Sequence, residues 1–238
     1  NTVAEHTFAL MLAVTRKIVA CAERTRRGNF SLDGLRGTDL NGKTLGIVGT
    51  GKIGKAVIRI AHGFCMNVIA YDSFPDRSYA KACGFEYVNL STLLKTSDII
   101  SLHCPLNEKT EHLINMKNVS RIKKGAILIN TARGGVVETK ALVHALNENI
   151  LSGAGIDVLE EENKLHEEVE LLVSGARLDV TTLLAEHVLI EMDNVIITPH
   201  NAFNSGEAVR RITQTTIENI LAFTRGKPMN VVGLKPRK

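Results

Sequence analysis

A chain of 238 residues can bury one large α/β core or two small ones, and with 44% hydrophobic and 23% charged residues it has the composition of a globular protein, not a disordered one. Lys and Arg exceed Asp and Glu by four, a scattered excess that argues against a nucleic-acid partner while mildly favouring anionic ligands. The four cysteines (Cys21, Cys65, Cys83, Cys104) form no C-x-x-C pair and no metal-ligand spacing with histidine, so reduced thiols, a cytoplasmic location and no metal site are expected.

Taken in chain order, residues 4–26 carry apolar side chains at helical spacing and predict one long helix. Its apolar run ends at Arg16, too short to span a membrane, and no basic lead or small-residue cleavage site marks a signal peptide. The chain opens on Asn1 in the approach to this helix, without an initiator Met, so further residues are expected upstream. Residues 44–49 then predict a buried strand, and residues 52–64 a helix.

Between these two lies Gly49-Thr50-Gly51-Lys52-Ile53-Gly54, a G-x-G-x-x-G turn in strand-to-helix context. The first glycine suits the tight turn, the second admits a pyrophosphate against the backbone, and the third lets helix and strand pack closely. Phosphate charge would meet the positive end of the helix. The same stretch nearly spells a P-loop, but Ala56 stands where that motif needs a hydroxyl for Mg²⁺. Asp72 closes the next predicted strand, residues 67–72, about twenty residues on, where a carboxylate can accept from ribose hydroxyls and repel a 2′-phosphate. The cofactor expected is therefore NAD, not NADP.

Further strands are predicted at residues 98–104, 126–131, 153–158 and 194–198, with helices at 139–149 and 206–225. The strands are near-continuous apolar runs without polar alternation, as in parallel sheets covered on both faces, and the spacing leaves room for crossover helices. An α/β fold with a doubly wound parallel sheet of Rossmann type follows. Residues 163–191 break the rhythm and read as an elaborated connection.

The segments Asn1-Thr2-Val3-Ala4-Glu5-His6, the glycine turn, Ser101-Leu102-His103-Cys104-Pro105-Leu106, Ile129-Asn130-Thr131-Ala132-Arg133-Gly134-Gly135, Gly155-Ile156-Asp157-Val158 and Thr198-Pro199-His200 together resemble the NAD-binding domain of the D-isomer-specific 2-hydroxyacid dehydrogenases. Residues 200–203 and the long 163–191 connection are most similar to the D-lactate branch. The resemblance implies hydride transfer between NAD(H) and a small D-2-hydroxy acid or 2-keto acid, D-lactate and pyruvate being the leading pair.

That chemistry needs a cation for the substrate carboxylate, a proton donor for the carbonyl oxygen and an acid to keep the donor charged. Arg133, His200 and Glu162 fit these needs, each following a predicted strand end. Glu160, Glu161 and Glu162 are consecutive; the spacing from Asp157 selects Glu162, with Glu161 as the alternative, and Asn163 stands where many family members carry proline. By the same resemblance His103, Cys104, Pro105, Thr131, Ala132 and Asp157 line the nicotinamide side, Asp157 accepting from the carboxamide.

The resemblance further implies that residues 1–226 form the NAD-binding domain with its dimerisation helix, and that residues 227–238 return toward a smaller substrate domain whose upstream part lies outside this sequence. A homodimer is expected, and the chain alone should bind NADH but turn over slowly or not at all. A different class, an NADH-sensing interaction protein of corepressor type, shares the fold, as do dehydrogenases of glycerate, hydroxyisocaproate or phosphoglycerate.

Overall fold

The computed structural model describes residues 1–160 and 180–231. Strands β1 (Thr44–Val48), β2 (Asn67–Tyr71), β3 (Glu86–Tyr87), β4 (Ile99–Leu102), β5 (Ala126–Asn130), β6 (Leu151–Ile156) and β7 (Val195–Ile197) form a seven-stranded sheet in the order β3-β2-β1-β4-β5-β6-β7. Every pairing is parallel. The doubly wound Rossmann-type sheet is thus as expected from the apolar runs. The strand order reverses between β1 and β4, and in open α/β sheets that reversal opens the ligand crevice at the carboxyl ends of the strands.

The helices are α1 (Thr2–Thr15), α2 (Ile18–Arg26), α3 (Lys52–Gly63), α4 (Arg77–Cys83), α5 (Leu90–Thr96), α6 (Thr139–Asn147), α7 (Val180–Glu191) and α8 (Gly206–Thr224). One apolar layer joins α1 and α3 to the sheet through Phe8, Met11, Val57, Ile58 and Ala61 against Leu45 and Ile47. The opposite layer joins α5 and α6 through Leu93, Leu94, Ala141 and Leu142 against Leu102 and Leu128. Strands β4 and β5 are buried at every position, which is why their sequences show no polar alternation.

The structure departs from the sequence reading in two places. The single helix expected over residues 4–26 is broken at Lys17, which takes φ 52°. The Thr15 carbonyl, which a continuous helix would have used, accepts from Thr38 N–H (3.0 Å), and Lys17 Nζ ties to the same loop by donating to the Gly34 carbonyl (2.6 Å). Secondly, α4, β3 and α5 occupy residues 77–96, which the apolar pattern left unassigned; β3 is only two residues long, too short for any period to show.

The chain divides into two compact units, one holding Val3–Ala202 with the whole sheet and the other beginning at Phe203. In the second, Ser205 caps α8 by accepting from Ala208 N–H (3.2 Å). Of the 163–191 connection, residues 180–191 form α7 and the rest lie outside the described residues.

Candidate active site

The glycine turn follows β1 at the switch point. Gly49 has φ 94°, and a Cβ there would lie 2.8 Å from the His103 carbonyl and Cys104 nitrogen, so the turn fits flush against the chain leaving β4. A Cβ on Gly54 would meet the Gly49 carbonyl oxygen at 2.1 Å, which enforces the close approach of α3. Around Gly51 there is open space, nothing lying within 4 Å of where its Cβ would be. Gly51 is also the N-cap of α3 and supplies no side-chain cap, so the first N–H groups of the helix are left to a ligand. An open cradle at an uncapped helix N-terminus fits a dinucleotide pyrophosphate. Lys52 and Ile53 begin the helix, Ile53 exposed.

Asp72 follows β2 directly. Its Oδ2 accepts from Thr50 N–H (2.6 Å) and from the Thr50 hydroxyl (2.8 Å), and Oδ1 accepts from Phe74 N–H (2.8 Å). Burial works to raise this carboxyl, but the donations from Thr50 and Phe74 outweigh it and hold it below the ordinary aspartate value. A carboxylate has about four acceptor positions, so three donors leave room for a ribose hydroxyl.

At the end of β4, His103 Nε2 pairs with Ser101 Oγ (2.8 Å). Burial pushes its imidazole down to about 4, so it is neutral at physiological pH. Burial likewise pushes the Cys104 thiol up to about 11. Cys104 is therefore a packing residue and not a nucleophile, since only about 0.1% would be thiolate at pH 8. At that pH iodoacetamide should label exposed Cys65 and leave Cys104 unmodified over the same interval, as peptide mass spectrometry would read out; equal labelling would mean an accessible, activated thiol. Pro105 follows, exposed at the rim.

Thr131, Ala132, Arg133, Asp157 and His200 gather over the ends of three adjacent strands. Thr131 and Ala132 leave β5 buried, Thr131 Oγ1 pairing with Thr7 Oγ1 of α1 (2.9 Å). Arg133 is exposed, and one of its guanidinium N–H groups donates to the Ala132 carbonyl (2.6 Å). A Cβ on the next residue, Gly134, would lie 2.0 Å from the Leu159 carbonyl oxygen, so the arginine turn is pressed onto the chain leaving β6. That chain begins with Asp157, 1% exposed.

Asp157 Oδ1 accepts from the Thr198 hydroxyl (2.5 Å) and Asn201 N–H (2.8 Å), while Oδ2 accepts from Ala202 N–H (2.9 Å). His200 N–H donates to the backbone carbonyls of Asp157 and Thr198, both at 2.9 Å, in a turn where His200 takes φ 50°. The buried carboxylate is thus a brace for the turn that carries His200, a role the sequence reading did not give it. Behind it, His6 Nε2 lies 3.1 Å from Thr198 Oγ1. Thr198 has one hydroxyl proton and directs it to Asp157, so His6 must be the donor in that bond. His6 and Thr7, neighbours on α1, thereby tie both turns to one helix.

Of the three consecutive glutamates, Glu160 is engaged structurally. It pairs with His112 Nε2 (2.5 Å) and accepts from Thr139 N–H (3.0 Å) and the Thr139 hydroxyl (2.8 Å) at the start of α6. Glu161 and Glu162 lie outside the described residues. Among the described residues no group of histidines, cysteines and carboxylates could hold a metal ion, and no helix is long and apolar enough to cross a membrane.

A glycine turn, a strand-end carboxylate and two loops nested over the ends of β5 to β7 define a dinucleotide-binding domain of Rossmann type. Residues 8–202 match the D-isomer specific 2-hydroxyacid dehydrogenase, NAD binding domain. The chain is 39% identical over 227 residues to the D-lactate dehydrogenase of Escherichia coli, covering 95% of this chain and 67% of that protein. It is 39% identical over 237 residues to the glyoxylate reductase of Korarchaeum cryptofilum, covering 98% and 66%. The crystal structure of D-lactate dehydrogenase from Aquifex aeolicus complexed with NAD and lactic acid superposes with a TM-score of 0.87 at 39% identity, covering 95% of this chain and 67% of that one. The chain belongs to the D-isomer specific 2-hydroxyacid dehydrogenase family as its NAD-binding domain, and NAD is its cofactor. It spans about two thirds of the length of these relatives.

Proposed function

We propose that the chain is the cofactor domain of an oxidoreductase that interconverts small 2-keto acids and D-2-hydroxy acids with NAD(H), pyruvate and D-lactate being the pair. The observation that carries this reading is the turn holding His200, braced by buried Asp157 next to the arginine turn at the carboxyl ends of adjacent strands.

In the proposed reaction Gly49 to Gly54 and the N-terminus of α3 hold the pyrophosphate, and Asp72 takes the adenosine ribose. Thr131, Ala132, Asp157 and the His103-Cys104-Pro105 segment shape the nicotinamide side. Bound NADH supplies the hydride. Arg133 receives the substrate carboxylate with its planar fork, which orients the carbonyl, and His200 gives its proton to the carbonyl oxygen as negative charge develops there. Glu162 is the carboxylate proposed to keep His200 protonated. Lactate oxidation runs the same proton back to His200.

Residues 1–226 are proposed to form the cofactor domain and 227–238 to lead back to a substrate domain, in a cytoplasmic homodimer. Helix α2 supports the dimer: it buries none of its residues within the chain, and Ile18 (53%) and Val19 (44%) are exposed.

The test is NADH oxidation by the intact protein with pyruvate, glyoxylate and 4-methyl-2-oxopentanoate. The highest kcat/KM is expected with pyruvate, and in reverse D-lactate but not L-lactate should be oxidised. A higher kcat/KM with another keto acid would reject lactate as the substrate, and absence of turnover with any 2-keto acid would reject the dehydrogenase reading.

A further inference from the structure

The short strand β3 delivers one side chain to the cofactor end of the sheet. Tyr87, in register with Ala70 of β2, places its hydroxyl 2.8 Å from Thr50 Oγ1, and that hydroxyl accepts from Asp76 N–H (3.2 Å). Asp76 is itself fixed, because its side chain caps α4 by accepting from Tyr79 N–H (3.0 Å) and receives Lys55 Nζ (2.8 Å). The Tyr87 ring is held edge-on to Phe85, centroids 5.2 Å apart.

The direction of each bond in this chain is determined. An ionised carboxylate only accepts, so the single hydroxyl proton of Thr50 goes to Asp72 Oδ2. The proton between Thr50 and Tyr87 must then be the one on Tyr87, and the Tyr87 oxygen in turn accepts from the Asp76 amide. The run Asp76 N–H to Tyr87 O–H to Thr50 O–H to Asp72 is a line of donors that all point at one carboxylate. Such a line polarises along its length and favours the charged acceptor at its end.

We propose that Tyr87 is a positioning residue for cofactor selection: acting through the Thr50 hydroxyl, it fixes the Asp72 carboxylate in the orientation that accepts from an adenosine ribose and excludes a 2′-phosphate. This rests on the proposed role of Asp72 and adds the device that holds it in place. A carboxylate free to rotate could turn from an incoming phosphate, whereas one held by two bonds from Thr50 presents its charge to the phosphate. Discrimination by a fixed repulsive group is a difference between two affinities, so it is read in a ratio. Were Tyr87 a packing residue alone, its hydroxyl would be dispensable, or its loss would weaken both cofactors together.

Fluorescence titration of this chain with NADH and NADPH, alongside thermal unfolding, tests the proposal with Tyr87→Phe, Thr50→Val and Thr50→Ser. Tyr87→Phe keeps the ring against Phe85, and Thr50→Ser keeps the hydroxyl. For Tyr87→Phe and Thr50→Val the Kd for NADH should rise about 3- to 10-fold while that for NADPH changes less than about twofold, so the preference narrows, as expected when the net worth of one ordinary hydrogen bond is lost. Thr50→Ser, which keeps the hydroxyl, should preserve the wild-type ratio of the two Kd values. If the ratio of the two Kd values is preserved in Tyr87→Phe, whether both move together or neither moves, the proposal is overturned. It is overturned equally if Thr50→Ser behaves as Thr50→Val does; should Thr50→Val fail to fold, Tyr87→Phe decides alone. A wild-type chain that binds both cofactors equally would instead remove the role given to Asp72.

Discussion

Replacing His200 in the intact enzyme is expected to lower turnover by about 10²- to 10⁴-fold, the usual contribution of a positioned general acid, with NADH affinity unchanged within about twofold. The two effects are expected to separate because backbone and Asp157 bonds hold the turn. It is fixed by the His200 N–H donating to the Asp157 and Thr198 carbonyls, and by Asn201 and Ala202 N–H donating to the Asp157 carboxylate. The choice of substitution matters, since His200 takes φ 50°, in the left-handed region. Alanine is rare in that conformation, whereas asparagine, like histidine, is several-fold enriched there. His200→Asn is therefore the cleaner variant and His200→Ala the control for backbone strain. Both lose the imidazole, so both should lose turnover, with the alanine variant the less stable of the two. If His200→Asn retained more than about a tenth of wild-type kcat, the imidazole would not be the proton donor.

How much of this was legible in the chain depended on how local each determinant is. The glycine turn could be read because its needs are met within six residues: a positive φ at Gly49, open space at Gly51 and contact at Gly54. The strands at residues 44–48 and 126–130 were legible because burial on both faces leaves them continuously apolar. The break at Lys17 was not, since it is set by Thr38 and Gly34 reaching back to α1 from some twenty residues on. Tyr87 carries no such signal, because a two-residue edge strand has no period and the value of its hydroxyl lies in Thr50 and Asp76. The glutamate run shows the same limit within a site. Three identical side chains at residues 160–162 carry one signal, yet the partners His112 and Thr139 give Glu160 a structural task that no spacing reveals.

Asp157 is the residue whose chemistry was most fully hidden, and its removal carries the largest expected effect on stability. With 1% exposure, its carboxylate accepts from the Thr198 hydroxyl and from the N–H groups of Asn201 and Ala202, all more than forty residues along the chain. Asp157→Ala leaves those three donors facing a small apolar space. A buried donor without an acceptor costs about 1–3 kcal/mol, so even with partial relaxation the loss should be about 3–5 kcal/mol, a large share of the total stability of a domain. Asp157→Asn keeps one carbonyl oxygen but turns an amide N–H₂ toward the remaining donors, so it should fall between the wild type and alanine. Thr198→Val removes a single donor together with its bond to His6, and should cost about 1.5–3 kcal/mol. Urea unfolding of the four proteins gives the order directly, and amide exchange localises it: Asn201 and Ala202 should lose protection in Asp157→Ala and keep it in Thr198→Val. A loss below about 1 kcal/mol for Asp157→Ala would mean that water or neighbouring carbonyls satisfy those donors, and that the turn under His200 is held by its own backbone bonds.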